Sequence, residues 1–372
     1  MKITIERGAL LKALNHVQSV VERRNTIQVL SNVMLKAEND TLALTATDLE
    51  IEMREKLAAE ISEAGSITAP AHILYDIVRK LPEGAQVTLS LDETESRLQL
   101  ISGKSSFTLQ SLPASDFPDI EIGDMSHSFT LPADDLRRLI EKSRFAISGD
   151  ETRYYLNGIY LHAVEDEGKS LLRAVATDGH RLALVEMPQP KGADGMPSII
   201  VPRKTVNEVH KLLEETEGEV AIQVSETKIN FAFAHIVLTS KLIDGKFPDY
   251  NRVIPTKNDK TLTVDAKAFG QTVDRVAAVA SEKSRAVKLG LQADSLTFTV
   301  SNPESGSGHD ELSAAYASEP MEIGFNASYL LDITAQFDSD NAVFELADSS
   351  APTIIRDEKD NTALYVLMPM RV

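Results

Sequence analysis

Residues 3–21 read ITIERGALLKALNHVQSVV, and this stretch decides the fold. Ile3-Thr4-Ile5-Glu6 alternates apolar and polar like a half-buried strand, and a helical stripe follows at once, with Leu10, Leu14, Val17 and Val21 on one face. The same template returns twice. Phe129-Thr130-Leu131 runs into Leu136, Ile140, Ser143 and Ile147, and Leu262-Thr263-Val264 runs into Phe269, Val273, Val276 and Ala280. A short strand followed by the same i, i+4, i+7, i+11 stripe, three times at a spacing of about 130 residues, is an internal repeat.

A second set of strand–helix pairs keeps the same frame. Strands ending at Pro70, at Pro202 and near Asn326, a good helix-capping residue, lead into Leu74/Ile77/Leu81, Val206/Val209/Leu213 and Leu330/Ile333/Phe337. Alternating runs fill the rest as antiparallel strands: Thr41–Ala46, Gln86–Leu91, Arg97–Ile101, Ser105–Gln110, Val220–Val224, Ile229–Ala234 and Leu296–Val300. The pattern restarts after polar linkers near Ser126 and Asn258. The expectation is therefore an α+β chain of three repeated domains, 1–126, 127–258 and 259–372, each with two helices and two antiparallel sheets.

Composition narrows the class. A chain of 372 residues, 42% hydrophobic and 25% charged, is neither disordered nor fibrous, and with no cysteine it has no disulfide, thiolate metal site or cysteine nucleophile. Glu6, Arg7 and Lys12 interrupt any signal-peptide core, which predicts a cytoplasmic protein without a membrane segment. A net charge of −18 argues against nucleic acid at first sight. Its distribution argues otherwise. Counted over 7–24, 71–80, 134–147, 203–213, 265–285 and 327–337, the helical segments are net basic, so the remainder is more acidic than the whole. Three copies do not obviously close a ring, but a twofold pair supplies twelve helices of about 10 Å each, around a hole of roughly 28 Å, wide enough for a duplex.

Enzyme signatures are missing. Thr177-Asp178-Gly179-His180 sets an acid and a histidine two apart, but the eight histidines show no metal-ligand spacing. Gly103-Lys104-Ser105 and Gly168-Lys169-Ser170 mimic the end of a phosphate-binding loop, yet Leu98 and Ala163 stand where that loop needs glycine. No catalytic residue, metal or cofactor is expected.

Several longer words are more specific: Arg153-Tyr-Tyr-Leu-Asn-Gly158, Ala176-Thr-Asp-Gly-His-Arg-Leu182, Val201-Pro-Arg-Lys204, Thr239-Ser-Lys-Leu242, Phe247-Pro-Asp-Tyr250 and Val366-Leu-Met-Pro-Met-Arg-Val372. In these words, and in order over the whole chain, the sequence resembles the bacterial sliding clamps, the beta subunits of DNA polymerase III holoenzyme. The resemblance implies three clamp domains forming a ring as a head-to-tail homodimer around duplex DNA. It further implies a non-enzymatic processivity factor that tethers the polymerase III catalytic subunit, the clamp loader and other polymerases or repair proteins through short linear motifs. The alternative is a peptide-binding scaffold that ignores DNA.

The resemblance also implies sites. A partner-peptide pocket would comprise Leu156, Thr177, Gly179, His180, Arg181, Leu182, Pro248, Arg252, Val253, Val366, Met368, Pro369, Met370 and Arg371. Methionines flanking a proline suit an adaptable apolar cleft, and the arginines could hold polar groups at its rim. Ser350 and Pro352 depart from the family pattern near this pocket. DNA contacts would fall to Arg24, Tyr154, Tyr155, Arg203 and Lys204, with His72 a softened contact where the family often has a basic residue. The dimer seam would bring Phe107 against Ala278 and Val279, with Lys104 and Arg97 facing Glu304, Asp310 and Glu311.

Overall fold

The structure, a computed structural model, describes residues 1–92, 97–281 and 285–371. Val372 of the final quoted motif, and Glu282 and Lys283 of the helix charge count, lie outside the described residues. The six expected helices are α1 (Arg7–Gln18), α2 (Ala71–Lys80), α3 (Ala133–Arg144), α4 (Arg203–Glu214), α5 (Ala266–Ala277) and α6 (Ala327–Thr334). Each follows directly on a strand. Side-chain caps start several of them: Glu6 accepts from the Ala9 amide, Asp265 from Ala268 and, as the sequence suggests, Asn326 from Ser328.

The repeating stripes are the core. Leu10, Leu14, Val17, Phe269, Val273, Leu330 and Ile333 are fully enclosed. The helices stop one residue set earlier than the stripes: Val21, Ile147, Ala280 and Phe337 fall in the turns beyond, where Val21 and Ile147 stay buried while Ala280 and Phe337 are half-exposed. On α2 the buried face is Ala71, Leu74 and Val78, continued by Leu81 just past its end, with Ile77 half-exposed, because i+4 keeps closer than i+3 to the axis of this short stripe. The strand expected over Ile229–Ala234 is Lys228–Ala232, and the Phe233 amide instead closes the following turn on Ile236.

The chain forms two compact units. The first comprises Met1–Leu136, Pro190–Pro197 and Lys204–Leu242, the second Arg137–Gln189, Ser198–Arg203 and the residues from Ile243 onward. Two sheets per repeat would make six, and the described residues form four, all antiparallel. In the first unit, Ile236–Lys241 of the middle repeat pairs with Ile51–Ala58 of the first, making one eight-stranded sheet. In the second unit, Arg181–Pro188 of the middle repeat pairs with Ala363–Leu367 of the last, making one nine-stranded sheet. Edge strands of adjacent repeats thus satisfy each other's backbone groups. The remaining sheets have five strands, in the order Glu60–Glu63, Lys2–Glu6, Gln86–Asp92, Arg97–Ser102, Ser105–Gln110, and four strands, in the order Gly306–Ser313, Ser295–Asn302, Ala286–Gln292, Met321–Asn326. No helix among the described residues is long and apolar enough to cross a membrane.

Candidate partner-peptide pocket and nucleic-acid interface

The pocket is built where the nine-stranded sheet joins two repeats. Strand Lys169–Thr177 turns into Arg181–Pro188 through a tight loop that uses its own side chains as scaffolding. Asp178 Oδ1 accepts the amides of His180 (2.9 Å) and Arg181 (3.0 Å), and Thr177 Oγ1 accepts from Gly179 and donates to the Arg181 carbonyl. Gly179 sits at φ +91°, a left-handed conformation that favours glycine. Asp178 is therefore a turn-forming carboxylate, and its two-residue spacing to His180 is that of a loop rather than an acid–base pair.

Strand pairing then sets the floor. Leu182 lies opposite Val366, and the Met368 amide donates to the His180 carbonyl at 2.9 Å. Leu156 enters from the 3-10 turn Glu151–Leu156, while Pro248, Tyr250 and Val253 close another side. Tyr250 is fixed from behind: its hydroxyl meets His162 Nε2 at 3.0 Å, and Tyr160 stacks on Phe247 at 4.7 Å. Burial raises the Tyr250 phenol and lowers the His162 imidazole from their ordinary values, so both stay neutral at physiological pH. The result is a cavity of about 160 Å³ lined by Leu156, Thr177, Gly179, His180, Arg181, Leu182, Pro248, Asp249, Tyr250, Val253, Val366 and Met368.

Ten of the expected residues meet in one cavity, and the others do not line it. Arg252 points into solvent and pairs with Asp249 at 2.9 Å; Arg371 is exposed; Pro369 is half-buried outside the lining. Met370 is held by a backbone bridge to Gly324 and is not among the lining residues. Arg181 lines the cavity, but its guanidinium is no free rim group. It donates to Asp178, Asp332 and the Phe145 carbonyl, and lies 4.3 Å over the Tyr329 ring. Sequence reasoning missed Asp249 and Tyr250, although both stand inside the quoted Phe247-Pro-Asp-Tyr250. Ser350 and Pro352 do not line the cavity; Ser350 bonds Asp348 and the Pro352 carbonyl accepts from Asn258.

Comparison with known sequences and structures completes this picture. Three family models match in order: DNA polymerase III beta subunit, N-terminal domain, over residues 1–121, its central domain over 130–249 and its C-terminal domain over 251–371. The chain belongs to the DNA polymerase III beta subunit family. It is 54% identical over 372 residues to the beta sliding clamp of Caulobacter vibrioides and 40% identical over 373 residues to that of Escherichia coli, each chain being covered completely. Its fold matches the crystal structure of a sliding clamp from Bartonella birtlesii bound to griselimycin at a TM-score of 0.98 and 52% identity, again with both chains covered fully.

Among the residues that clamp resemblance assigns to DNA, the structure separates free side chains from occupied ones. Arg24 and Arg203 are exposed. Tyr154 is 53% exposed and packs edge-on against half-buried Tyr155 at 5.8 Å. Lys204 is different. Its ammonium donates to the Val20 carbonyl (3.0 Å), to Asp48 (2.6 Å) and to Glu22, and although burial works against its charge, these acids hold its pKa above the ordinary lysine value. It ties the first repeat's turns to the middle repeat instead of standing free for phosphate. His72 is likewise engaged, through both ring nitrogens, with Gln18 and the Val21 carbonyl.

The residues expected at a clamp dimer seam lie on or beside the end strands of two sheets. Phe107, 37% exposed, is on Ser105–Gln110, the last strand of the five-stranded sheet, beside exposed Lys104. Ala278 is exposed and Val279 half-buried, the latter packed under Gly308 of Gly306–Ser313, the last strand of the four-stranded sheet. Two of the three acids expected to face Lys104 and Arg97 already have partners in their own unit: Asp310 accepts from Arg275 at 2.8 Å, and Glu311 from Ser295 at 2.7 Å. No group of three or more His, Asp or Glu side chains among the described residues is arranged to hold a metal ion.

Proposed function

We propose that the chain is a DNA polymerase processivity factor of the cytoplasm: two copies close head to tail into a ring around duplex DNA, and polymerases, the clamp loader and repair proteins dock on it through short linear peptides. It acts as a tether and is not an enzyme. The observation that carries this reading is the preformed apolar cavity at the seam of two repeats, in a chain of the sliding-clamp family. An extended peptide ending in bulky apolar side chains fits a cleft whose floor is Leu182 and Val366 and whose lid is Met368. The repeats divide near Ser126 and Asn258.

Edge strands Ser105–Gln110 and Gly306–Ser313 are the natural pairing surfaces of such a ring, since each ends a sheet and one carries the exposed Phe107. Arg24, Arg203 and Tyr154 are the side chains left to meet DNA, through phosphate and exposed base faces without reading sequence. Tyr155 braces Tyr154, and Lys204 shapes the surface rather than contacting it.

Topology is the test. Loaded on a nicked circular duplex, the protein should stay bound through a salt wash and leave when the circle is linearised, and Phe107→Arg should abolish retention by opening the dimer. Retention on linear DNA, or nanomolar binding to a short duplex, would refute the ring and leave a DNA-independent or sequence-specific binder.

A further inference from the structure

We propose that Met368 is a modification site: oxidation of its thioether by a hydroperoxide closes the pocket to peptide ligands. The inference rests on the reading of the cavity as a peptide site and adds a chemical control to it. Met1, Met53 and Met196 are buried, and Met34, Met125, Met187, Met321 and Met370 are half-buried, whereas Met368 is 42% exposed. The most exposed methionine is therefore the one that lines the apolar cavity.

The chemistry needs only the oxidant. A sulfur lone pair attacks the terminal oxygen of the hydroperoxide, the S–O bond forms as the O–O bond breaks, and the remaining alkoxide or hydroxide takes the proton to leave as an alcohol or water. Sulfur is oxidised by two electrons and the peroxide reduced by two. The product replaces an apolar, pliable wall with a strongly polar S=O group. An apolar peptide side chain seated there would strip that oxygen of water and give it no donor in return. The fold has no stake in the change. Met368 follows the end of strand Ala363–Leu367, its backbone amide is bonded to the His180 carbonyl, and Leu367 and Tyr365 on the strand before it are fully buried.

The test treats the full chain with limiting hydrogen peroxide, maps the added oxygen by peptide mass spectrometry, and follows binding of a fluorescein-labelled peptide ending in Leu-Phe by anisotropy. The expected result is oxygen first at residue 368, at least about a tenfold loss of affinity, an unchanged melting temperature, and recovery after treatment with methionine sulfoxide reductases and dithiothreitol. Met368→Leu, whatever its own starting affinity, should show the same affinity before and after peroxide. Oxygen accumulating first at another methionine, an unchanged affinity in the singly oxidised protein, or a loss that persists in Met368→Leu would each overturn the inference. If the untreated protein does not bind the peptide, the pocket reading itself falls and this inference with it.

Discussion

The two units contain the same seam, built twice to opposite ends. In the second, Arg181 lies opposite Leu367 and the Met368 amide donates to the His180 carbonyl; in the first, Ile51 lies opposite Ser240 and the Lys241 amide donates to the Glu50 carbonyl at 2.8 Å. Thr47-Asp48-Leu49 repeats the turn of Thr177-Asp178-Gly179 bond for bond, Asp48 Oδ1 accepting from Glu50 and Ile51 as Asp178 does from His180 and Arg181. Phe117-Pro118-Asp119-Ile120 stands where the other seam has Phe247-Pro248-Asp249-Tyr250. Yet in register the floor residue Leu182 is replaced by Glu52, its neighbour Leu184 by Arg54, and the lid Met368 by Lys241. Glu52 accepts from the Ile120 amide at 3.1 Å, Arg54 bridges Glu52 and Asp119 at 2.8 and 2.9 Å, and Lys241 pairs with Glu50 at 3.0 Å. One backbone thus makes an apolar cavity or a polar, ion-paired joint, according to a handful of side chains.

Importing the first seam's plug into the second should have the largest effect. The double variant Leu182→Glu/Leu184→Arg places a carboxylate and guanidinium where Asp249 already matches Asp119. Binding of the labelled Leu-Phe peptide should fall by about a hundredfold or more, since ligand apolar groups would have to desolvate the pair. Should the double variant unfold, Leu182→Ala tests the same floor more gently, with an expected loss of about tenfold. Peptide affinity unchanged in both would show that the ligand does not sit on Leu182.

The seams also differ in the cation behind them, and pH should separate them. His16 on α1 occupies the position that Lys142 holds on α3, tenth in each helix. Lys142 donates to Asp338 (2.8 Å) and Asp360 (3.3 Å); His16 Nδ1 lies 2.8 Å from buried Glu55, its Nε2 is 3.6 Å from Glu215, and Lys12 and the His235 imidazole are the other groups in reach of these acids. Burial opposes the charged imidazole, but the Glu55 hydrogen bond and the Glu55 and Glu215 charges outweigh it, so the His16 pKa is raised. The folded state then holds this proton more tightly than the unfolded chain. The stabilisation is complete below the ordinary histidine value of about 6.5 and is lost as pH rises through the higher folded value. Hydrogen exchange in α1 and Ile51–Ala58 should accelerate across that window beyond its intrinsic pH dependence, and His16→Gln should remove the excess. An excess that survives the substitution would assign it to another group.

Local chemistry was legible in the sequence and pairing between distant strands was not. The three stripes and the Asn326 cap depend on neighbours within a few residues. That six half-sheets fuse into four depends on edge contacts such as Ile236 with Glu55, between residues far apart in the chain, and no period announces them. The same distance hid the partners of Lys204 and Arg181: Asp48 and Asp332 are each about 150 positions away, so two side chains that read as free cations are internal ties. The pocket was legible only through resemblance, and Tyr250 escaped because its role rests on a bond to His162 behind the wall. The first seam's echo of Thr-Asp-Gly was open to reading at Thr47-Asp48-Leu49, where a leucine in the glycine's place disguises it.

That leucine supplies the smallest expected effect. Leu49 has φ +77° where Gly179 has φ +91°, a left-handed conformation that costs a residue with a Cβ about 1–2 kcal/mol. The first seam tolerates it because Asp48 and Thr47 bind the turn from both sides, and because Asp48 is itself held by Lys204. Comparing Leu49→Gly with Leu49→Ala cancels the lost side chain and leaves the backbone term. Glycine's extra freedom in the unfolded chain, about 0.5–1 kcal/mol, works against it, so Leu49→Gly should be the more stable of the two by about 1 kcal/mol in urea unfolding. The ordinary order, alanine above glycine, would mean that the turn relaxes out of the left-handed region once leucine is gone, and that the two seams share their hydrogen bonds but not their backbone strain.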